Sequence, residues 1–124
     1  MKAKRSIILL LVLSIVMSVF SIIPASASSG VNITYPGSGN TINNTKYEIR
    51  FTWDNDLSAT SYYLVTLQNL TTGTYYLKST RISSDYYNIP SRVLAAGKYK
   101  FKVIAYDSDG DSIDSDYITF YVTR

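Results

Sequence analysis

The sequence predicts an all-β fold, a seven-stranded antiparallel β-sandwich of Greek-key type, and three observations carry that reading. Short runs alternate apolar and polar residues with period two, as strands covered on one face do. Turn residues, among them Pro36-Gly37, Thr72-Gly73, Ala96-Gly97 and Asp109-Gly110, separate these runs at short and regular intervals. No segment after the first 27 residues reads as a helix. About seven short strands in a chain of this length suit two packed sheets around one core.

The chain opens with a leader. Lys2, Lys4 and Arg5 precede an apolar stretch from Ile7 to Ile23, and Pro24 and the triplet Ala25-Ser26-Ala27 follow. A basic region, an apolar region and an A-x-A site make the order of a secretory signal, with cleavage expected after Ala27. Pro24 breaks the apolar helix just before that site, which favours cleavage over retention as an anchor. Residues 1–27 are therefore read as a signal peptide and residues 28–124 as one secreted domain, extracellular or associated with the cell surface. Without Lys2, Lys4 and Arg5, nine of the twelve basic residues remain against nine acidic ones, so the formal charge of +3 becomes zero. A neutral domain gives no electrostatic case for nucleic acid or, after signal cleavage, for a membrane. The chain has no cysteine, so packing alone must hold the secreted domain together.

The strands follow in order. Val31 to Tyr35 is a short run closed by Pro36-Gly37. Glu48 to Trp53 places Ile49, Phe51 and Trp53, with Tyr47 just ahead, on one face and Lys46, Glu48, Arg50 and Thr52 on the other. Tyr62 to Gln68, Thr74 to Lys78 and Tyr86 to Ile89 form the next three. From Lys98 to Tyr106 the alternation is cleanest: Tyr99, Phe101, Val103 and Ala105 point one way, and Lys98, Lys100, Lys102, Ile104 and Tyr106 the other. The three lysines are expected to be solvated. Tyr117 to Thr123 closes the set, with Ile118, Phe120 and Val122 inward.

Several stretches follow one another in a family's order: Trp53, then A-T-S-Y-Y-L-V-T-L from Ala59 to Leu67, T-T-G at Thr71 to Gly73, Y-N-I-P at Tyr87 to Pro90, and L-A-A-G-K-Y-K-F-K-V-I-A-Y-D from Leu94 to Asp107. From about Val31 to Val122 the chain resembles bacterial fibronectin type III-like domains. The resemblance implies a seven-stranded immunoglobulin-like sandwich with strands one, two and five in one sheet and three, four, six and seven in the other. It implies that Trp53 and Tyr63 lie in the core and that Leu94 packs near Tyr99 at the corner before the sixth strand. It also implies an adhesive module, a spacer or an accessory domain; the R-G-D of animal relatives is absent.

Catalysis finds little material. The chain has no histidine and no cysteine, which excludes Ser-His and Cys-His nucleophile pairs and His-Cys metal sites within one chain. The paired carboxylates of a glycosidase must face each other across a cleft, about 5 to 9 Å apart, and so small a sandwich has little room for one. The chain is read as a non-enzyme.

Two features remain. Asp107 to Asp116, D-S-D-G-D-S-I-D-S-D, holds five of the nine acidic residues. Asp107, Asp109 and Asp111 alternate as EF-hand ligands do, but Gly110 falls at the fourth position and Ile118 at the twelfth, so that match fails. Asp109-Gly110 then reads as the bend of the last hairpin, its Asp and Ser side chains bonding nearby amides; a weak calcium site of another geometry at Asp107, Asp109 and Asp111 is the alternative. No other cofactor is indicated.

The second feature is tyrosine, with twelve in the chain and pairs at Tyr62-Tyr63, Tyr75-Tyr76 and Tyr86-Tyr87. A pair in a strand sends one ring to each face. With Tyr63, Val65 and Leu67 inward, the outer face gathers Tyr62, Leu64, Ile104, Tyr106, Tyr117 and Tyr121, flanked by Lys98, Lys100 and Lys102. Tyrosines favour strand surfaces in any case, but an exposed patch of this breadth suits protein contacts or sugar rings. Three functions follow: a secreted binding or adhesive module contacting an extracellular protein through the tyrosine face, a carbohydrate-binding module using the same rings on a cell-wall or extracellular glycan, and a structural subunit that self-associates through edge strands. Asn32-Ile33-Thr34, Asn43-Asn44-Thr45 and Asn69-Leu70-Thr71 are glycosylation sequons that chance accounts for in a chain rich in Asn and Thr.

Overall fold

The computed structural model describes residues 30–124, so the signal-peptide reading falls outside the described residues. Eight strands follow one another: β1 (Val31–Tyr35), β2 (Thr41–Asn43), β3 (Ile49–Asn55), β4 (Tyr62–Asn69), β5 (Tyr75–Ile82), β6 (Tyr86–Ile89), β7 (Gly97–Tyr106) and β8 (Ser112–Thr123). They form a three-stranded sheet, β1-β3-β6, and a five-stranded sheet, β2-β8-β7-β4-β5. The division between the sheets is the one the resemblance implies, with one strand added.

That added strand corrects two expectations. The described residues form eight strands rather than seven, and the larger sheet is mixed, because β2 runs parallel to β8 from Thr41 opposite Tyr121 to Asn43 opposite Thr123. Thr41-Ile42-Asn43 is three residues long with a single apolar side chain inside a Gly- and Asn-rich stretch. It is too short to show a period of two. Its backbone is held from outside, Gly39 N–H donating to Thr119 C=O and Tyr121 N–H to Asn40 C=O.

The inward residues interlock as the alternation requires. Ile49, Phe51 and Trp53 of β3 meet Val65 and Leu67 of β4, Phe101 and Val103 of β7 and Phe120 of β8, all of them buried. Phe51 lies 4.3 Å from Phe101 between ring centroids, and Trp53 meets Tyr63 edge to face at 5.4 Å. The Trp53 Nε1–H is buried without a hydrogen-bond partner among the described residues. Tyr47 departs from its expected place: it is 55% exposed, because it precedes β3 in a turn where its N–H donates to Asn43 C=O.

Two polar ties cross the sandwich. Asn44, fully buried just after β2, donates from Nδ2 to the carbonyls of Tyr47 and Pro90 and accepts at Oδ1 from the N–H groups of Val93 and Leu94. At the opposite edge, β8 begins five residues earlier than its apolar run suggests, pairing Ser112 with Tyr106 and Asp114 with Ala105. The second half of the aspartate run is therefore strand. Asp114 and Asp116 point inward to the open edge of β1, where their carboxylates accept from Val31 N–H at 2.7 Å and Ile33 N–H at 2.9 Å.

The corner before β7 is closed by Tyr99, whose hydroxyl donates to Ala95 C=O at 2.7 Å while Asn69 Nδ2 donates to it at 3.3 Å. This is the tyrosine-corner arrangement of immunoglobulin-like sandwiches. Leu94 is buried beside it, as expected. Burial raises the Tyr99 hydroxyl above its ordinary 10.0, more than the Asn69 hydrogen bond and Arg124 lower it. A raised value means the fold favours the protonated phenol. Its contribution is complete below about pH 10 and is lost as pH climbs through the raised value. The urea midpoint should therefore fall above about pH 10, and Tyr99→Phe should flatten that fall while lowering neutral-pH stability by about 1 kcal/mol. Equal alkaline slopes in the two proteins would assign the effect elsewhere; Tyr76, also raised by burial and by Tyr87, is the next group to test.

Candidate binding face

All six expected face residues lie on one surface, the outer side of the five-stranded sheet. Tyr62 stands opposite Tyr106 and Leu64 opposite Ile104 across β4 and β7, while Lys102 stands opposite Tyr117 and Lys98 opposite Tyr121 across β7 and β8. Tyr62, Leu64, Ile104 and Tyr106 make one continuous block. The Tyr62 and Tyr106 rings stack with centroids 5.3 Å apart and planes 2° from parallel, and the Arg81 guanidinium lies 4.0 Å from the Tyr62 centroid.

Tyr117 and Tyr121 stand apart from that block along β8. Both are exposed, Tyr117 at 58%. The lysines do not merely flank the tyrosines but interleave with them: Lys100 Nζ lies 4.5 Å from the Tyr117 centroid and Lys98 Nζ 5.9 Å from that of Tyr121. Lys100 and Lys102 are half-buried, contrary to the expectation of full solvation. Their stems lie between neighbouring side chains of the face while the ammonium groups reach its surface.

The alternation reading stopped the fourth strand at Lys78 and so missed what β5 adds to the face. The register of β4 against β5 shifts twice, between Val65 and Leu67 and again between Leu67 and Gln68, and Ser79 takes a φ of 47° with its N–H donating to Thr66 Oγ1. Beyond this bulge, Thr80 and Ile82 turn inward and Ser79 and Arg81 outward, one step out of phase with Leu77. The renewed alternation of S-T-R-I was the available signal. Tyr75, Lys78 and Ser79 form one wall of a groove of about 280 Å³, Thr66 and Gln68 its floor, and Lys100, Lys102 and Ile104 the other wall.

Charge is segregated despite the zero net value of residues 28–124. Lys78, Arg81, Lys98, Lys100 and Lys102 share this face. The acids lie elsewhere: Glu48 and Asp54 with the smaller sheet, Asp56 and Asp85 in loops, Asp107, Asp109 and Asp111 in the hairpin, and Asp114 and Asp116 against β1.

The hairpin itself is built as a turn. Asp107 Oδ1 accepts from Asp109 N–H and Asp111 N–H, Gly110 N–H donates to Asp107 C=O, and Gly110 sits at φ 85°, a conformation open to glycine. Among the described residues no three acidic side chains converge on a point that would hold a metal ion, those of Asp107, Asp109 and Asp111 included. Of the sequon asparagines, Asn69 is buried, its Oδ1 accepting from Thr71 N–H and Thr72 N–H.

No protein-family model matches the sequence, and no curated protein matches it. Solved structures do. The fibronectin(III)-like modules of CbhA from Clostridium thermocellum align with a TM-score of 0.53 at 20% identity, covering 75% of this chain and 95% of theirs. CopC from Methylosinus trichosporium OB3b aligns with a TM-score of 0.49 at 16% identity, over 77% of this chain and 93% of its own. The fibronectin type-III domain of human fibronectin type III domain containing protein 3 aligns with a TM-score of 0.45 at 22% identity, over 79% and 91%. The sheet division, the buried Trp53, the Tyr99 corner and the alignment with the Clostridium modules agree: the described residues fold as a fibronectin type III-like domain.

Proposed function

We propose that the chain is a secreted, non-catalytic binding module that engages an extracellular protein or glycan through the outer face of its five-stranded sheet. The observation that carries this reading is the composition of that face: five tyrosines and five cationic side chains on one side of one sheet, with no acidic residue among them. Tyrosine presents a rigid apolar ring with a polar tip, the surface that interfaces enrich. The basic, apolar and A-x-A segments of residues 1–27 support export. Without histidine or cysteine the chain can build no Ser-His or Cys-His nucleophile pair of its own.

The test is sedimentation of the purified domain with the insoluble envelope fraction of the organism that encodes it. Wild-type protein should pellet, and Tyr106→Ser/Tyr121→Ser should stay in solution while keeping its circular dichroism spectrum and melting point within about 3 °C, since both side chains are surface-facing. Pelleting that survives the double substitution would remove the face from the mechanism.

A further inference from the structure

We infer that the groove between β5 and β7 is a subsite for an acidic sugar unit, a uronic acid residue of an extracellular polysaccharide. The inference rests on the face being a binding surface and names what it takes.

The groove's chemistry is selective. Lys78, Lys100 and Lys102 line its walls, with the Lys100 ammonium reaching over Tyr117 at the side toward β8, and Thr66 and Gln68 line its floor. Cations recognise a carboxylate, and a hydroxyl with an amide offers both donors and acceptors to ring hydroxyls. Tyr75 at the rim is exposed and has Lys78 Nζ 5.3 Å from its ring centroid, which puts an apolar ring face and a positive charge side by side. An acidic sugar needs that pairing, a C–H face to lie on and a cation for its carboxylate.

The groove's form fits the same ligand. At about 280 Å³ it sits at the small end of ligand sites, suited to one ring rather than a folded protein surface. It lies open on the sheet, so a chain can run out of it in either direction. Toward β8 such a chain meets Tyr117 under Lys100 and then Tyr121 beside Lys98, a second and third pairing of ring and cation. Lys98, Lys100 and Lys102 alternate along one strand and so repeat at about 7 Å, a spacing that presents several cations to one extended polyanion. Neutral glycans would use the tyrosines and leave the lysines idle.

Isothermal titration calorimetry tests this with polygalacturonate as the probe and dextran and a single-stranded oligonucleotide as comparators. The expected result is binding of polygalacturonate only, weakened about tenfold or more by Lys100→Gln/Lys102→Gln and by Tyr75→Ala, the scale of one charge-assisted contact. The glutamine pair keeps the stems and tests charge alone, and each variant's melting point shows that it is folded. Equal affinity for the oligonucleotide, or for dextran, overturns the acidic-sugar assignment. So does polygalacturonate binding unmoved by Tyr75→Ala, which would make the face a generic anion exchanger. If polygalacturonate fails while envelope sedimentation persists and depends on Tyr106 and Tyr121, the subsite falls and the binding face stands; if both fail, both fall.

Discussion

Asn44→Ala is expected to lower stability by about 3 to 5 kcal/mol, the largest loss from any single polar side chain here. The amide is fully buried and satisfies four backbone groups at once, the carbonyls of Tyr47 and Pro90 and the N–H groups of Val93 and Leu94. Alanine removes all four partners and leaves a void that water enters only by opening the corner. Each buried group left unpaired costs about 1 to 3 kcal/mol. Against a total of about 5 to 15 kcal/mol for a domain of this kind, the loss is large enough to lower the melting temperature by about 15 to 30 °C. Trp53 is the only tryptophan and is buried, so its fluorescence in urea reads the transition directly. Asn44→Asp should be about as damaging, because it keeps an acceptor for Val93 and Leu94 but turns a second oxygen toward two carbonyls. Asn43→Ala, exposed and bonded only to Thr45, should cost less than about 1 kcal/mol. A loss under about 1.5 kcal/mol for Asn44→Ala would mean that the corner between β6 and β7 is held by Leu94 packing alone.

The contrast between Asn44 and its neighbours shows where the sequence was informative. Period-two alternation located seven of the eight strands and put Phe51, Trp53, Phe101 and Phe120 inside, because burial of apolar side chains is the dominant force and leaves a repeating mark. All six expected face residues lie on one side of the sheet for the same reason, that inward residues on a strand determine the outward ones, although Tyr117 and Tyr121 stand apart from the other four. Polar ties leave no such mark. Asn44 sits in a stretch that reads as any turn does, and its four partners come from two segments, Tyr47 nearby and Pro90 to Leu94 some 46 to 50 residues on. The groove was missed because a bulge at Ser79 shifts the phase of β5, so a strand of eight residues looked like one of five. Net charge misled as well. A sum of zero says nothing about where the charges lie, and the fold sorts them onto different surfaces.

The aspartate run illustrates the same limit and carries the second large prediction. Read as a loop, its five carboxylates invited a cation; in the fold, Asp107 shapes the turn while Asp114 and Asp116 belong to β8 and cap the open edge of β1. Asp114→Ala/Asp116→Ala should cost about 2 to 4 kcal/mol, the sum of two charge-assisted hydrogen bonds reduced because the freed amides can reach water. The distinguishing readout is local. Amide exchange at Val31 and Ile33 should speed by about tenfold or more beyond the change at Phe101 in the core, since β1 would keep only its pairing with β3. The uncovered β1 edge and the start of β8 should also promote association between chains, which inward charges at an edge oppose. Asp114→Asn/Asp116→Asn retains one acceptor oxygen at each site and should lose about half as much. Gly30 supplies an independent check with both carboxylates present: a Cβ there would lie 2.0 Å from Asp114 Oδ2, and the residue holds a φ of 98°. Gly30→Ala must therefore push Asp114 off Val31 and should raise exchange at Val31 while leaving Ile33, held by Asp116, protected. If Val31 and Ile33 remain protected in the double alanine variant, β1 is held by its ladder to β3 and by the burial of its two apolar side chains, and the carboxylates only occupy the edge.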